Sequence, residues 1–230
     1  MPALHYLNPD DLNFPPVEEA LDEPNGLLAV GGDLSSDRLL HAYRQGIFPW
    51  YEDGQPILWW HPAPRMVLYP EELHVSRSLQ KLQRKNTLQI TADQAFPEVI
   101  EHCAGRGNHT RPGTWITAEM LDAYKRLHRE GWAHSLEAWD QKQLVGGLYG
   151  IAIGSIFFGE SMFSLQDNAS KLVLVALVRK LYQQEFRLID CQIASEHLAA
   201  FGAREISREK FMQELAAGVN QETHWNWENV

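Results

Sequence analysis

The chain has 230 residues, of which 44% are hydrophobic, enough for one large domain or for a small domain joined to a medium one. Thirty acidic and twenty basic residues give a net charge of −10. This charge excludes a general polyanion binder and leaves any nucleic-acid contact to a local basic patch. Cys103 and Cys191 are the only cysteines, which excludes a disulfide framework and favours a reducing compartment.

The N-terminal stretch MPALHYLNPDDLNFPP lacks the basic and apolar regions of a signal peptide. Residues 143–159 are uncharged, but their five glycines and short length favour two strands and a turn over a membrane span. We therefore expect a soluble, cytoplasmic protein.

The charge is distributed unevenly along the chain. Residues 1–64 hold ten acidic and two basic residues, a balance of −8, and are rich in Pro, Gly and Trp, whereas the remainder is nearly neutral. The shift predicts a small N-terminal domain at 1–64 and a larger domain at 65–230, with a boundary near HPAPR.

The first predicted helix runs through Leu39, Leu40 and Tyr43, with a cap at Ser35-Ser36 and a stop at Gly46. Further helices are predicted at 75–85, 117–129, 168–184, 195–201 and 207–217, and strands at 133–139, 143–150, 154–159 and 187–193. A meander followed by helix, strand and helix predicts an α+β fold with the last strand inside the sheet.

The helix SRSLQKLQRK carries a cluster of cations on one side, which we call the basic stripe. Its apolar residues fall on the opposite side, and no acidic residue occurs between Glu72 and Asp93. A charge run is often only a solvated face, but an unopposed one in an acidic protein favours phosphate binding. The basic stripe comprises Arg77, Lys81, Arg84 and Lys85.

Four tryptophans, Trp50, Trp59, Trp60 and Trp115, lie in segments rich in Gly and Pro rather than in periodic elements. Tryptophan in such segments can form a stacking platform for a base or ribose. For any one of them, a place in the hydrophobic core remains the favoured interpretation.

In GESMF at 159–163, Glu160 is followed by Met162 and Phe163. An acid in this position could close an apolar pocket and bind an amine at its mouth, or it could simply face solvent at the end of a strand. The serine is not a nucleophile elbow, because Phe163 stands where that motif needs glycine.

The stretch LIDCQ at 188–192 reads as a buried strand that carries two polar residues. Alternation predicts Asp190 and Gln192 on one face, with Ile189 and Cys191 on the other. Burying a carboxylate and an amide requires hydrogen-bonding partners, so the two are either a working pair or structural polar groups.

Several signals are missing. The sequence has no HExxH motif, no Cys/His cluster with metal spacing and no Walker loop. QLVGGL at 143–148 approaches the pyrophosphate loop of CoA-dependent acyltransferases but ends in Leu and reads as strand. We expect no metal and no small-molecule cofactor.

Nine ordered segments together strongly resemble the bacterial leucyl/phenylalanyl-tRNA–protein transferases. The similarity runs from about residue 14 to about residue 210. The segments are EPNGLLAVGGDLS (23–35), GIFPWY (46–51), ILWWHPAPR (57–65), LHVSRSLQK (73–81), GTWIT (113–117), GLYG (147–150), GESMFS (159–164), NASK (168–171) and LIDCQ (188–192).

The resemblance implies transfer of Leu, Phe and, less well, Met from aminoacyl-tRNA to the N-terminal amine of proteins that begin with Arg or Lys. The product would enter the N-end rule degradation pathway. It also implies a C-terminal domain similar to the GNAT acyltransferases, with a mixed, largely antiparallel sheet, and tRNA in place of CoA. A monomer without membrane partners is expected.

By the same resemblance, Asp190 and Gln192 act together in catalysis; we expect Asp190 to polarise the Gln192 amide, whose carbonyl oxygen accepts a hydrogen bond from the attacking amine. Trp50 and Trp115 hold the terminal adenosine, and the basic stripe holds the tRNA. The aminoacyl side chain enters a pocket formed by Leu148, Phe157, Glu160, Met162, Leu174, Leu177 and Ile189. Some family members carry Met at position 148 and Phe at position 177, so leucine at both leaves the preference between Leu and Phe open.

Two other functions remain possible from the sequence. The order of strands and helices also suits a CoA-dependent N-acetyltransferase, although the missing loop argues against it. A non-catalytic tRNA-binding module would need only the basic stripe and the tryptophans.

Overall fold

A computed structural model describes residues 4–85, 87–106, 116–222 and 225–226. The strands in these residues are β1 His5–Leu7, β2 Leu27–Gly31, β3 Phe48–Pro49, β4 Leu58–Trp60, β5 Arg65–Leu68, β6 Gln89–Ala92, β7 Ala133–Asp140, β8 Gln143–Ile153, β9 Ile156–Ser164, β10 Leu188–Gln192 and β11 Arg204–Ile206. The α-helices are α1 Ser36–Tyr43, α2 Arg77–Lys85, α3 Phe96–Cys103, α4 Ala118–Arg129, α5 Ala169–Gln183, α6 Glu196–Ala199 and α7 Arg208–Gly218.

Side-chain caps explain where several helices begin. Ser35 accepts a hydrogen bond from the backbone N–H of Arg38, and Thr117 accepts one from Met120. The six predicted helices are confirmed, α2 starting two residues later than expected. The predicted last strand of the meander was too short, because β9 continues to Ser164. Sequence patterns did not predict α3, the four strands β1 to β4, or β5, β6 and β11.

The strands form two sheets. The small sheet has the order β1-β2-β4-β3, with β1 parallel to β2 and the other pairs antiparallel. The large sheet has the order β11-β5-β10-β9-β8-β7-β6. Its neighbours are antiparallel except for β9 and β10, which run parallel. The predicted α+β class, with a mixed and largely antiparallel sheet, is confirmed, and β10 lies inside that sheet.

Alternation along the strands of the large sheet creates a core on each face. On β10, Leu188 packs into the core that contains α3 and α4, whereas Ile189 packs into the core that contains α5. On β9, Phe158 and Phe157 divide in the same way. Helices α3 and α4 therefore cover one face of the large sheet and α5 covers the other, and the face on which a side chain lies decides which core it joins.

The parallel strands β9 and β10 stay together over only part of their length. Their pairing ends where Asp190 lies opposite Phe158. Beyond that point the remainder of β9 carries Glu160, and β10 ends with Gln192. The separation of two neighbouring strands opens space within the sheet at these residues.

The small sheet is built from residues 5–60 and the large sheet from residues 65–206. One hydrophobic cluster nevertheless includes Trp59 and Phe48 of the small sheet together with Phe158 of the large one. The division into domains 1–64 and 65–230 therefore stays a prediction. Among the described residues, no helix is both long and apolar enough to cross a bilayer.

Candidate functional site

A cavity of about 440 Å³, here called the main cavity, opens where β9 and β10 separate. Its walls combine strands β8 to β10, helix α5, the segment before β4 and the loop after β10. Eight of the residues chosen from the sequence line it, together with Gln192: Trp50, Leu148, Phe157, Glu160, Met162, Leu174, Leu177 and Ile189. Apart from Glu160, Gln192 and the Trp50 nitrogen, this set offers only apolar surface.

The four tryptophans have different environments. Trp50 stands at the rim with 41% of its surface exposed, and its ring lies 5.6 Å from that of Trp60. Trp59 is fully buried, and Trp59 and Trp60 lie on strand β4, so the expectation that all four avoid periodic elements was wrong. Trp115 lies outside the described residues. Of the described three, Trp50 is the one available for stacking.

Glu160 occupies a β-bulge. Gly159 and Ser161 pair with consecutive residues of β8, so Glu160 between them is the extra residue of β9. A bulge turns a side chain away from the position that strict alternation would give it, and such turns are common beside active sites. Here the bulge directs the Glu160 carboxylate to the polar end of the main cavity, so the expectation that it could face solvent was wrong.

Three neutral donors surround this carboxylate. Tyr43 of α1 donates to Oε1 at 2.7 Å, and Tyr124 of α4 donates to Oε2 at 3.0 Å. The Gln192 amide nitrogen donates to Oε1 at 2.8 Å, and the two tyrosine hydroxyls also contact each other. No cation lies within ion-pair distance of Glu160 among the described residues. Its charge is therefore supported by hydrogen bonds alone.

Burial raises the pKa of Glu160 to about 7, although the hydrogen bonds from Tyr43, Tyr124 and Gln192 oppose the increase. A carboxyl group with a pKa near 7 exchanges its proton readily at neutral pH. Glu160 can therefore act as a proton acceptor or donor under the conditions in which most enzymes work.

Gln192 reaches the cavity through a second bulge, at the end of β10. Asp190 and Gln192 pair with consecutive residues of β5, which leaves Cys191 as the extra residue, and Gln192 has a φ of 64°. The prediction that Asp190 and Gln192 point together into one cleft was therefore wrong. Gln192 lines the main cavity with Cys191, whereas Asp190 does not. Periodicity cannot detect a bulge.

Asp190 is fully buried and held by an ion pair. Arg65 donates from Nε to Oδ1 at 2.8 Å and from Nη2 to Oδ2 at 2.7 Å, while the backbone N–H of Gln192 donates to Oδ1 at 2.9 Å. These contacts commit both carboxylate oxygens. The side-chain amide of Gln192 is oriented by Glu160 instead of by Asp190, which corrects the expected partner.

Arg65 links the two sides of the main cavity. Its guanidinium lies 4.9 Å from the centre of the Phe48 ring and 4.6 Å from that of Phe211, and its Nη2 donates to the carbonyl of Gly46 at 2.9 Å. Since residues 48–50 form one wall and Asp190 supports the bulge in the other, this buried arginine fixes the walls relative to each other.

The basic stripe is fully formed on α2. All four of its cations are exposed, and Leu79 on the opposite side is buried. Among the described residues none of the four forms an ion pair. The stripe therefore presents uncompensated positive charge, close to but outside the main cavity.

Neither metal nor thiol chemistry is supported by the described residues. They contain no group of three His, Cys, Asp or Glu side chains placed to hold a metal ion. Burial raises the pKa of the Cys191 thiol, with the nearby Asp190 charge as a smaller cause, so this sulfur stays protonated and is a poor nucleophile.

Sequence reasoning missed three residues that shape the site. Tyr43 and Tyr124 occupy apolar positions of amphipathic helices, where a tyrosine looks like an ordinary core residue. Arg65 was used only to mark a domain boundary. The available signal was a buried strand, RMVL, that begins with an arginine, because a buried cation requires a buried anion as its partner.

Family sequence models and curated relatives match most of the chain. The sequence model of the leucyl/phenylalanyl-tRNA protein transferases matches residues 67–216, and that of their N-terminal domain matches residues 32–63. The leucyl/phenylalanyl-tRNA–protein transferase of Pseudomonas fluorescens strain Pf0-1 is 56% identical over 224 residues, which is 97% of this chain and 99% of that protein. The protein of the same name from Cellvibrio japonicus strain Ueda107 is 53% identical over 225 residues, 96% of this chain and 95% of that protein.

Solved structures give much weaker matches. L-PGS from Bacillus licheniformis is 8% identical with a TM-score of 0.41, covering 74% of this chain and 57% of that one. Aminoglycoside N-acetyltransferase AAC(6')-Iy in complex with CoA is 15% identical with a TM-score of 0.34, covering 62% and 91%. Scores this low do not establish a shared fold. The sequence matches do establish the family: the chain belongs to the leucyl/phenylalanyl-tRNA–protein transferases.

Proposed function

We propose that this enzyme transfers Leu or Phe, and less well Met, from aminoacyl-tRNA to the N-terminal amine of proteins that begin with Arg or Lys. The product would be a substrate of the N-end rule degradation pathway. The observation that carries the proposal is the main cavity, an apolar pocket of about 440 Å³ that ends at the Glu160–Gln192 pair. The reaction is assigned to the cytoplasm and to a monomer that needs no cofactor.

The apolar wall sets the aminoacyl specificity. A Leu, Phe or Met side chain gains from contact with Phe157, Met162 and Leu174, whereas a charged side chain would be buried without a partner. Discrimination among the three apolar side chains is expected to be modest, about 10–200-fold for a methylene-sized difference. Leu148 and Leu177 decide how much room is left for a ring.

Trp50 is assigned to the terminal adenosine of the tRNA. Its exposed ring stands at the rim of the main cavity, where the ester bond would join the aminoacyl group inside to the ribose outside. Stacking of a base on an aromatic side chain contributes about 1–3 kcal/mol. Trp115 stays the predicted second partner of the adenine.

The chemistry needs alignment more than strong activation. The donor is already an activated ester, and alignment of the two reactants can contribute about 7–11 kcal/mol. The attacking α-amine has a pKa of about 7.7–8.0, so part of it is neutral at physiological pH. The amine nitrogen forms the amide bond, the bond between the carbonyl carbon and the ribose oxygen breaks, and the proton lost by the amine ends on that oxygen.

Gln192 and Glu160 are the groups assigned to the attacking amine. Since the Gln192 amide nitrogen is committed to Glu160, its carbonyl oxygen is the acceptor left for the amine N–H. Glu160, with a pKa of about 7, takes up the proton as the amine attacks and releases it afterwards. Asp190 and Arg65 act as positioning residues, because they hold the bulge that presents Gln192.

The basic stripe is assigned to the tRNA body. If its four uncompensated cations each contact a phosphate, log affinity for tRNA should fall by about 3 for each unit increase in log salt, at roughly 0.7–0.9 per phosphate contact. This local patch allows an acidic protein to bind a polyanion.

Incubation with Leu-tRNA and a peptide that begins with Arg tests the proposal, with mass spectrometry to detect an added leucyl residue. The same peptide with an acetylated N-terminus, which has no free amine, should remain unmodified. Acetylation of the peptide by acetyl-CoA would support an N-acetyltransferase instead. Binding of Leu-tRNA without any transfer would support a non-catalytic module.

A further inference from the structure

A second cavity, of about 190 Å³, adjoins the main cavity, and His197 lines both. It lies between the starts of α2 and α5 and the segment 197–201. Its lining includes Ser78, Asn168, Lys171, His197 and Phe201. The function derived so far makes no use of this cavity.

The chemistry of its lining suits an anion joined to a flat ring. No Asp or Glu lines it, whereas Lys171, Ser78 and Asn168 offer hydrogen-bond donors. Lys171 forms no ion pair with the residues that the structure describes. Its charge, after the larger effect of burial, lowers the pKa of His197, so the Lys171 charge acts at the junction of the two cavities. The exposed ring of His197 adds a flat surface, and the buried Phe201 ring supports it edge-on, with the ring centroids 5.4 Å apart.

The position of the second cavity indicates which part of the tRNA could reach it. The terminal adenosine is assigned to the rim of the main cavity, and the basic stripe lies on α2. The same helix contributes Leu79 and Leu82 to the second cavity from its opposite side. A polynucleotide that enters the main cavity by its 3′ end would meet the second cavity next, because His197 lines both.

We propose that the second cavity binds the nucleotide that precedes the terminal adenosine of the aminoacyl-tRNA, with the connecting phosphate on Lys171 and the base against His197. This inference rests on the proposed function, because it assumes that the main cavity holds the aminoacyl-adenosine. It adds a subsite that is independent of the aminoacyl side chain and of the basic stripe.

Minimal donors test the subsite directly. Leucyl-adenosine has no phosphate, whereas a leucyl-CpA dinucleotide adds only the cytidine and the connecting phosphate. Lys171→Gln should raise the KM for leucyl-CpA about tenfold or more, the usual loss for a hydrogen bond to a charged group, and leave the KM for leucyl-adenosine unchanged. Arg129→Gln is the matched control, since Arg129 is exposed at the end of α4 on the opposite face of the sheet.

Ser78→Ala provides a second variant should Lys171→Gln fold poorly. Ser78 is exposed, whereas the Ser76 hydroxyl accepts the backbone N–H of Leu79 and is better left intact. An equal change for both donors, or no change for leucyl-CpA in either variant, would overturn the subsite. So would a higher KM for the acceptor peptide alone, which would place the peptide there. No transfer by the unaltered enzyme from full-length Leu-tRNA, measured in parallel, would instead reject the proposed function.

Discussion

Two carboxylates, Glu160 and Asp190, lie near the point where β9 and β10 separate, and they differ in how their charge is compensated. Asp190 faces the core on one side of the sheet and is matched by the full charge of Arg65. Glu160 faces the main cavity and is matched only by neutral donors from Tyr43, Tyr124 and Gln192. The charge of the Asp190 carboxylate is thus neutralised by Arg65, whereas the Glu160 carboxylate can titrate near neutral pH.

The difference shows which carboxylate suits structure and which suits chemistry. A buried ion pair resists any change of protonation, because losing either charge strands the other. A carboxylate that depends on neutral hydrogen bonds can gain or lose a proton near pH 7 without stranding a cation. We therefore assign proton transfer to Glu160 and the support of the Gln192 bulge to Asp190.

The largest expected effect is on the transfer rate of variants at Gln192 and Glu160. Gln192→Ala and Glu160→Gln should each slow single-turnover transfer by about 10²–10⁴-fold, the range for positioned proton-transfer groups. Because the two side chains are hydrogen-bonded to each other, the double variant should be little slower than the slower single variant. Rapid-quench measurement at saturating Leu-tRNA isolates the transfer step. Fully additive losses would mean that the two groups act separately.

Changes at Asp190 should act mainly on stability. Asp190→Asn leaves the Arg65 guanidinium buried without its carboxylate, and breaking such a pair costs about 3–5 kcal/mol. Denaturant unfolding should show this loss. The folded fraction should lose less transfer activity than the roughly 10²-fold typical of a missing proton-transfer group.

A double variant serves as the control for this prediction. Arg65→Met combined with Asp190→Leu removes both charges and should be more stable than Asp190→Asn alone. A stable Asp190→Asn protein with transfer slowed a thousandfold would reverse the assignment, since it would place Asp190 in the chemistry.

Sequence patterns predicted six of the seven described α-helices and four of the seven strands of the large sheet, because caps and periodicity are local. They failed at the bulges of Glu160 and Gln192, where one extra residue reverses the face of a side chain and leaves no mark on composition. They also failed for Tyr43 and Arg65, whose partners lie 117 and 125 residues away in the chain. The resemblance located the residues around the cavity, and only the structure showed their hydrogen-bond partners.

The pH dependence of stability should also separate the two carboxylates. The pKa of Glu160 is about 7 in the folded protein against an ordinary 4.5, so folding favours its protonated form. This group therefore destabilises the fold progressively as pH rises from about 4.5 through 7. Glu160→Gln, which cannot ionise, should gain stability relative to the unaltered enzyme between pH 5 and pH 8. Equal differences in unfolding free energy at both pH values would contradict the raised pKa.

The smallest expected effect concerns the tyrosines that hold Glu160. The Tyr124 hydroxyl donates to its carboxylate and lowers its pKa, so Tyr124→Phe should raise that pKa above about 7. The pH midpoint for transfer should then move upward, while the acceptor amine titrates as before. Tyr149→Phe is the matched control, because the buried Tyr149 hydroxyl has no hydrogen-bond partner among the described residues. Its midpoint should stay in place, and an equal shift in both variants would mean that cavity shape, rather than the hydrogen bond, sets the proton affinity of Glu160.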